Sequence, residues 1–186
     1  MLKSRTARLG ALSVAALAAF GATATAAGPP TPVSTSGKKV ESVGTVPTPT
    51  SFAFSGNTAF VGGFGDESNP SIQGGIFVLK GGKATLVPGT AGPVFGLAAH
   101  KGKLYSTSGK TLNVWSWWNG TKFAHHKVLF TGPKRFSALN GVAWGPDNRL
   151  YAGVSLDDNG DHGPPKTPYE YSLLSFKPNG KDLKVV

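Results

Sequence analysis

Three groups of side chains have the types and spacing to do chemistry. Asp157, Asn159 and Asp161 alternate within SLDDNGDHGPPKTPYEY (155–171), so that short oxygen-bearing side chains two residues apart could converge on one cation, with calcium the expected ion. The match to a helix-loop-helix calcium loop is imperfect, because Gly163 falls at the seventh position instead of the sixth and Pro168 stands where a bidentate Glu would close the cage. A looser calcium loop completed by Glu170 or backbone carbonyls and a plain acidic Gly/Pro loop both remain open. His162 lies among Asp157, Asp158 and Asp161, whose charges favour the imidazolium, and is the candidate general acid or base. The third group, Trp115-Ser116-Trp117-Trp118, could stack on pyranose rings, with Trp118 beside the Asn119-Gly120 turn expected to be the exposed ligand-binding member. Core packing of a strand held between two sheets accounts for the same run.

Other chemistry is excluded. The chain has no cysteine, so disulfides, Cys-based zinc sites and thiol nucleophiles are impossible. His125 and His126 adjoin on an expected outer strand and point to opposite faces, so they cannot chelate one ion together, and His100 falls at a hairpin tip. No nucleophile-elbow, zincin, Walker or dinucleotide-binding pattern occurs.

The elements that must position these groups are strands. Gly and Pro number 26 and 14 in 186 residues, which demands many turns and argues against a helical bundle. Three segments align: SFAFSGNTAFVGG (51–63), GLAAHKGKLYSTS (96–108) and GVAWGPDNRLYAGV (141–154). Phe60, Tyr105 and Tyr151 are equivalent, at intervals of 45 and 46, with the extra residue assigned to the Gly-Pro-Asp-Asn turn. Each segment reads as a hairpin, and each is followed by another at 76–87, 112–130 and 171–186, turning at Gly81-Gly82, Asn119-Gly120 and Asn179-Gly180. Four strands every 45 residues or so is the blade of a β-propeller. The expected fold is therefore all-β, with about three four-stranded blades at roughly 47–90, 91–133 and 134–186.

Three blades do not close a ring, since closed propellers hold about four to eight. The expectation is the front part of a longer six-bladed protein, or two copies associating to complete six blades.

The N-terminus reads as an export signal. Lys3, Arg5 and Arg8 precede an apolar run from Leu9 to Phe20, and Ala22-Thr23-Ala24-Thr25-Ala26 supplies small residues for cleavage near Ala26. The run is shorter than a bilayer requires, so the mature chain is expected to be secreted, without a membrane span. A flexible leader of Pro, Ser, Thr and Gly occupies about 27–46. Removing Lys3, Arg5 and Arg8 from the 19 basic residues leaves 16 against 9 acidic, a net +7 scattered over hairpin tips, which does not call for a nucleic acid.

The third repeat, SALNGVAWGPDNRLYAGVSLDDNGDHGP (137–164) with YSLLSFKPNGKDLKVV (171–186), resembles the six-bladed propellers of the gluconolactonase and senescence-marker-protein group, and equally those of the soluble quinoprotein glucose/sorbosone dehydrogenases. The lactonase resemblance implies that Asn140, in the N-G-x-A-W segment, is a metal ligand at the mouth of a central channel. The dehydrogenase resemblance implies pyrroloquinoline quinone as an alternative helper to calcium. A small sugar or lactone is the implied substrate, and a non-catalytic extracellular propeller that binds a protein or glycan is the competing reading. Apart from Asn140, the positions expected at the starts of the inner strands (Ser51, Val94 to Gly96, Leu139 and Gly141) are apolar or small.

Overall fold

A computed structural model describes residues 43–134, 136–156 and 172–186. Among these residues twelve strands form three separate four-stranded antiparallel sheets. The first holds β1 (Pro49–Ser55), β2 (Thr58–Gly65), β3 (Gln73–Lys80) and β4 (Lys83–Leu86) in sequence order. The second holds β5 (Gly96–His100), β6 (Lys103–Ser108), β7 (Thr111–Trp118) and β8 (Phe123–Thr131), and the third β9 (Phe136–Trp144), β10 (Leu150–Leu156), β11 (Leu173–Phe176) and β12 (Lys184–Val185). The strands β1, β5 and β9 are the inner ones, with β1 lying against β5 and β5 against β9.

The turns carry the chemistry that tight reversals need. Gly81 and Gly82 both take positive φ (57° and 75°) between β3 and β4, and Lys101 and Gly102 do the same (47° and 71°) between β5 and β6. The first two repeats pair Ser55 with Thr58 and His100 with Lys103 across two-residue turns, whereas Trp144 pairs with Leu150 around a longer one closed by Gly145 N to Arg149 O. Asn148 there adopts φ 61°. The extra residue of the third repeat thus sits in the turn, as its Gly-Pro-Asp-Asn sequence implies.

Register explains the 45-residue period. Ala53 pairs with Phe60, Ala98 with Tyr105 and Ala143 with Tyr151, so equivalent residues occupy equivalent places in each sheet. The small Ala on the inner strand makes room for the ring beside it. Phe60 and Tyr105 are fully buried.

Two apolar clusters join the sheets. Between the first and second lie Ala53, Phe60, Ile76, Val87, Val94, Leu97, Leu104 and Trp115, with Phe60 edge-on to Trp118 at 5.1 Å and beside Phe123 at 5.4 Å. Between the second and third lie Tyr105, Leu112, Leu139, Leu150, Ala152, Val154, Leu174 and Phe176. Backbones also meet directly at the inner strands: a Cβ on Gly96 would lie 2.4 Å from the Cα of Gly141. Only glycine allows that approach.

Candidate functional site

The first site to consider is the end of the sheets at which the inner strands begin. Thr50 Oγ1 at the start of β1 lies 2.7 Å from Val94 O, to which it donates, and so fastens the first sheet to the segment leading into β5. Ser51 Oγ and Thr107 Oγ1, both buried, have no hydrogen-bond partner among the described residues. Asn140 lies in the middle of β9, not at its start, one residue before Gly141, which adopts φ 63°. The pairing with β10 is irregular there, passing from Tyr151 opposite Ala143 to Gly153 opposite Asn140. This bulge leaves the Asn140 side chain exposed. Its amide could offer one oxygen to a ligand, but among the described residues no three His, Asp or Glu side chains gather as a metal would require.

Asp157, Asn159, Asp161 and His162 lie outside the described residues, as does Glu170.

The Trp run is arranged differently from a regular strand. Trp117 adopts φ 61°, and this left-handed residue breaks the alternation of faces that places Trp115 with Trp117. Trp115 and Trp118 instead share contacts with Phe123, at 6.0 and 4.9 Å between ring centroids, and Trp118 packs against Phe60 of the first sheet. Trp117 stands out, 74% exposed, with His125 edge-on at 5.1 Å. The exposure expected of Trp118 therefore belongs to Trp117. Trp118 is half-buried and borders a shallow groove with Asn57, Thr58 and Lys80.

A second polar place was not read from the sequence. Thr90, Ser106, Ser108, Thr111, Asn113, Trp115 and His126 surround a cleft of about 160 Å³ beside the junction of the first two sheets. His126 lies opposite Trp115 in the β7–β8 register and stacks on its indole at 3.9 Å. Its Nε2 is 3.0 Å from Asn113 Oδ1, while Asn113 Nδ2 donates to Thr111 Oγ1 and Thr111 Oγ1 donates to Ser108 O. That direction of donation makes Asn113 Oδ1 an acceptor, so His126 carries its proton on Nε2. Burial of the ring pushes its pKa below the ordinary histidine value. Trp115 Nε1 donates to Ser106 Oγ at 2.9 Å. The cleft presents hydroxyls, an amide and a neutral imidazole, a set that binds hydroxyl groups but contains no carboxylate to move a proton. The signal in the sequence was the alternation Thr111-x-Asn113-x-Trp115 on one strand face, legible only once the β8 partner was known.

A third group closes the turn of the third sheet. Arg149 donates from Nε to Ser175 Oγ and from Nη1 to Asp182 Oδ2 at 2.9 Å, and holds the Asp182 carboxyl below the usual range. Tyr151 OH donates to Asp147 Oδ2 at 2.7 Å, which raises the phenol pKa.

No protein-family profile matches the chain, and no curated protein matches it in sequence. Solved structures do. The PQQ-bound aldose sugar dehydrogenase of Streptomyces coelicolor aligns with a TM-score of 0.56 at 22% identity, over 77% of this chain and 48% of that one. An oxidoreductase of Thermus thermophilus, assigned as a glucose dehydrogenase, aligns with a TM-score of 0.53 at 17% identity, over 74% of this chain and 45% of that one. The chain spans about half the length of these proteins. At such identities the likeness is one of fold, and it places the three sheets in the β-propeller class, with the sheets as blades.

Proposed function

We propose that the chain is an exported sugar-binding β-propeller, resembling the quinoprotein sugar dehydrogenases and sugar lactonases, whose ligand is a small aldose or lactone held beside the inner strands at Asn140. The observation that carries this reading is the superposition of three blades, joined along β1, β5 and β9, on about half of an aldose sugar dehydrogenase. Asn140, whose side chain is exposed at the bulge between β9 and β10, supplies a polar contact. Export rests on the basic, apolar and small-residue succession of residues 1–26.

The positions at the inner strands do not by themselves fit either helper that the resemblance implies. Calcium wants six to eight oxygens, and Asn140 stands without a gathered set of carboxylates among the described residues. Pyrroloquinoline quinone is a polyanion, and Ser51, Val94 to Gly96, Thr107 and Leu139 to Gly141 present it with no cation. No catalytic step is assigned to these positions.

Calorimetric titration of the chain, purified as expressed, with aldoses and aldonolactones tests the proposal. The expected result is saturable binding that Asn140→Ala weakens at least about tenfold, the loss of roughly one charge-free hydrogen bond or more; no binding of any aldose or lactone overturns it.

A second reading, a non-catalytic propeller that binds a glycan, is favoured by one observation. Trp117 is exposed and propped against His125 on an outer hairpin that also carries Lys122 and Lys127. Quenching of tryptophan emission by an oligosaccharide, abolished in Trp117→Ala, would favour it over the first.

A further inference from the structure

The two intramolecular blade junctions are built alike. On the second blade the residues Leu97, Ala99 and Leu104 pack toward the first blade, and on the third blade Val142, Trp144 and Leu150 pack toward the second. These residues repeat at intervals of 45 or 46, and the matching positions on the first blade are Phe52, Phe54 and Ala59. There Phe52 and Phe54 meet each other edge-on at 6.0 Å, but no other sheet packs on them among the described residues. Phe52 and Phe54 are 72% and 64% exposed and, with Val43, Val61 and Leu79, line an apolar groove of about 630 Å³.

The opposite faces repeat in the same way. Ala98, Lys103 and Tyr105 stand on the face of the second blade that meets the third, and their equivalents on the third blade are Ala143, Arg149 and Tyr151. Where Tyr105 is fully buried, Tyr151 is only half-buried, and Ala143 and Leu173 are exposed. Among the described residues, the first blade thus has an uncovered receiving face of one kind, and the third blade an uncovered face of the complementary kind.

We propose that the occupant of the Phe52–Phe54 groove is the third blade of a second copy of this chain, the two copies joining head to tail through two equivalent junctions. Each junction continues the pattern already present twice within the chain. Two copies supply six blades, within the four to eight that a ring closes with.

Light scattering during gel filtration of the full chain tests this. The expected mass is twice that of one chain. Phe52→Glu with Phe54→Glu should give a monomer, and so should Ala143→Glu with Leu173→Glu, whereas Trp117→Glu, equally exposed, should leave the dimer intact. Mixing the two monomeric variants should restore dimers holding one copy of each, because such a pair retains one unaltered junction. A monomeric parent chain overturns the proposal, and so does a dimer that survives the Phe52/Phe54 change or one indifferent to Ala143 and Leu173. The chain has no cysteine, so Phe54→Cys and Ala143→Cys chains can also be mixed and treated with a short bismaleimide. Cross-links between one variant and the other are expected. Their absence, or protection of the thiol introduced at position 54 by the chain's own N-terminal segment, would overturn head-to-tail association.

Discussion

Trp117 is a bulky residue held in the left-handed region at φ 61° within β7. A bulky residue in the left-handed region is disfavoured by about 1–2 kcal/mol, and the indole recovers little of that by standing 74% exposed. Trp117→Asn, a residue that tolerates this region, is expected to raise stability by up to about 1 kcal/mol in urea unfolding. A loss of that size would show that the contact with His125 carries stability. His126 gives a second prediction, through pH. Its folded pKa is depressed below the unfolded value of 6.5 by burial, so the unfolded chain takes up the proton first as pH falls. Stability is full above about pH 6.5 and declines as pH falls from there through the folded pKa. Asp66 and Asp182, whose folded pKa values lie below 3.8, lose their contributions only in stronger acid. Melting at about pH 7.5 and 5.5 should therefore show a fall in the parent chain that His126→Gln reduces, because the amide keeps a donor toward Asn113 and has no proton to gain.

Among the elements, the inner strands decide how the blades meet. Gly96 on β5 faces the backbone of β9, where a methyl group would lie 2.4 Å from Gly141 Cα and 2.5 Å from Val142 N. Neither atom is the end of a flexible side chain, so the strands must part. Gly96→Ala is expected to cost about 1–3 kcal/mol, as overpacking does, and to loosen the contact between second and third blades first. Hydrogen exchange at Leu139 and Val142 would register that loosening. Thr50→Val removes the hydroxyl that reaches Val94 O and is expected to cost about 1 kcal/mol, with its effect at the first junction. Equal effects of both changes on all three sheets would contradict separate junctions.

At the scale of the molecule, the blades share their cores. Phe60 belongs to the first sheet but packs on Trp118 and Phe123 of the second, so neither sheet keeps its apolar contacts alone. Phe60→Ala is expected to cost about 3–5 kcal/mol, the usual effect of emptying a buried phenylalanine site. Tryptophan emission, from Trp115, Trp117 and Trp118 in the second sheet and Trp144 in the third, should fall in one transition coincident with far-ultraviolet circular dichroism. Two separated transitions would mean that the blades melt independently.

What the sequence by itself determined was the repeat: its period, the hairpin turns and the four-stranded unit. These are local consequences of strand alternation and of residues that accept positive φ, such as Gly81, Gly82 and Gly180. Ala53, Ala98 and Ala143 could be placed because their spacing is that of the unit. What only the tertiary structure decided was which side of each unit is covered. Phe52 and Leu97 are equivalent in sequence, yet one is exposed and the other buried, because burial depends on a neighbouring sheet that no local pattern specifies. The same holds for the candidate site. The exposure of Trp117 in place of Trp118 follows from one left-handed residue within a strand, and the pairing of His126 with Asn113 follows from the register of β7 against β8. Alternation assumes a regular strand and leaves register open, so neither could be derived before the strands were paired.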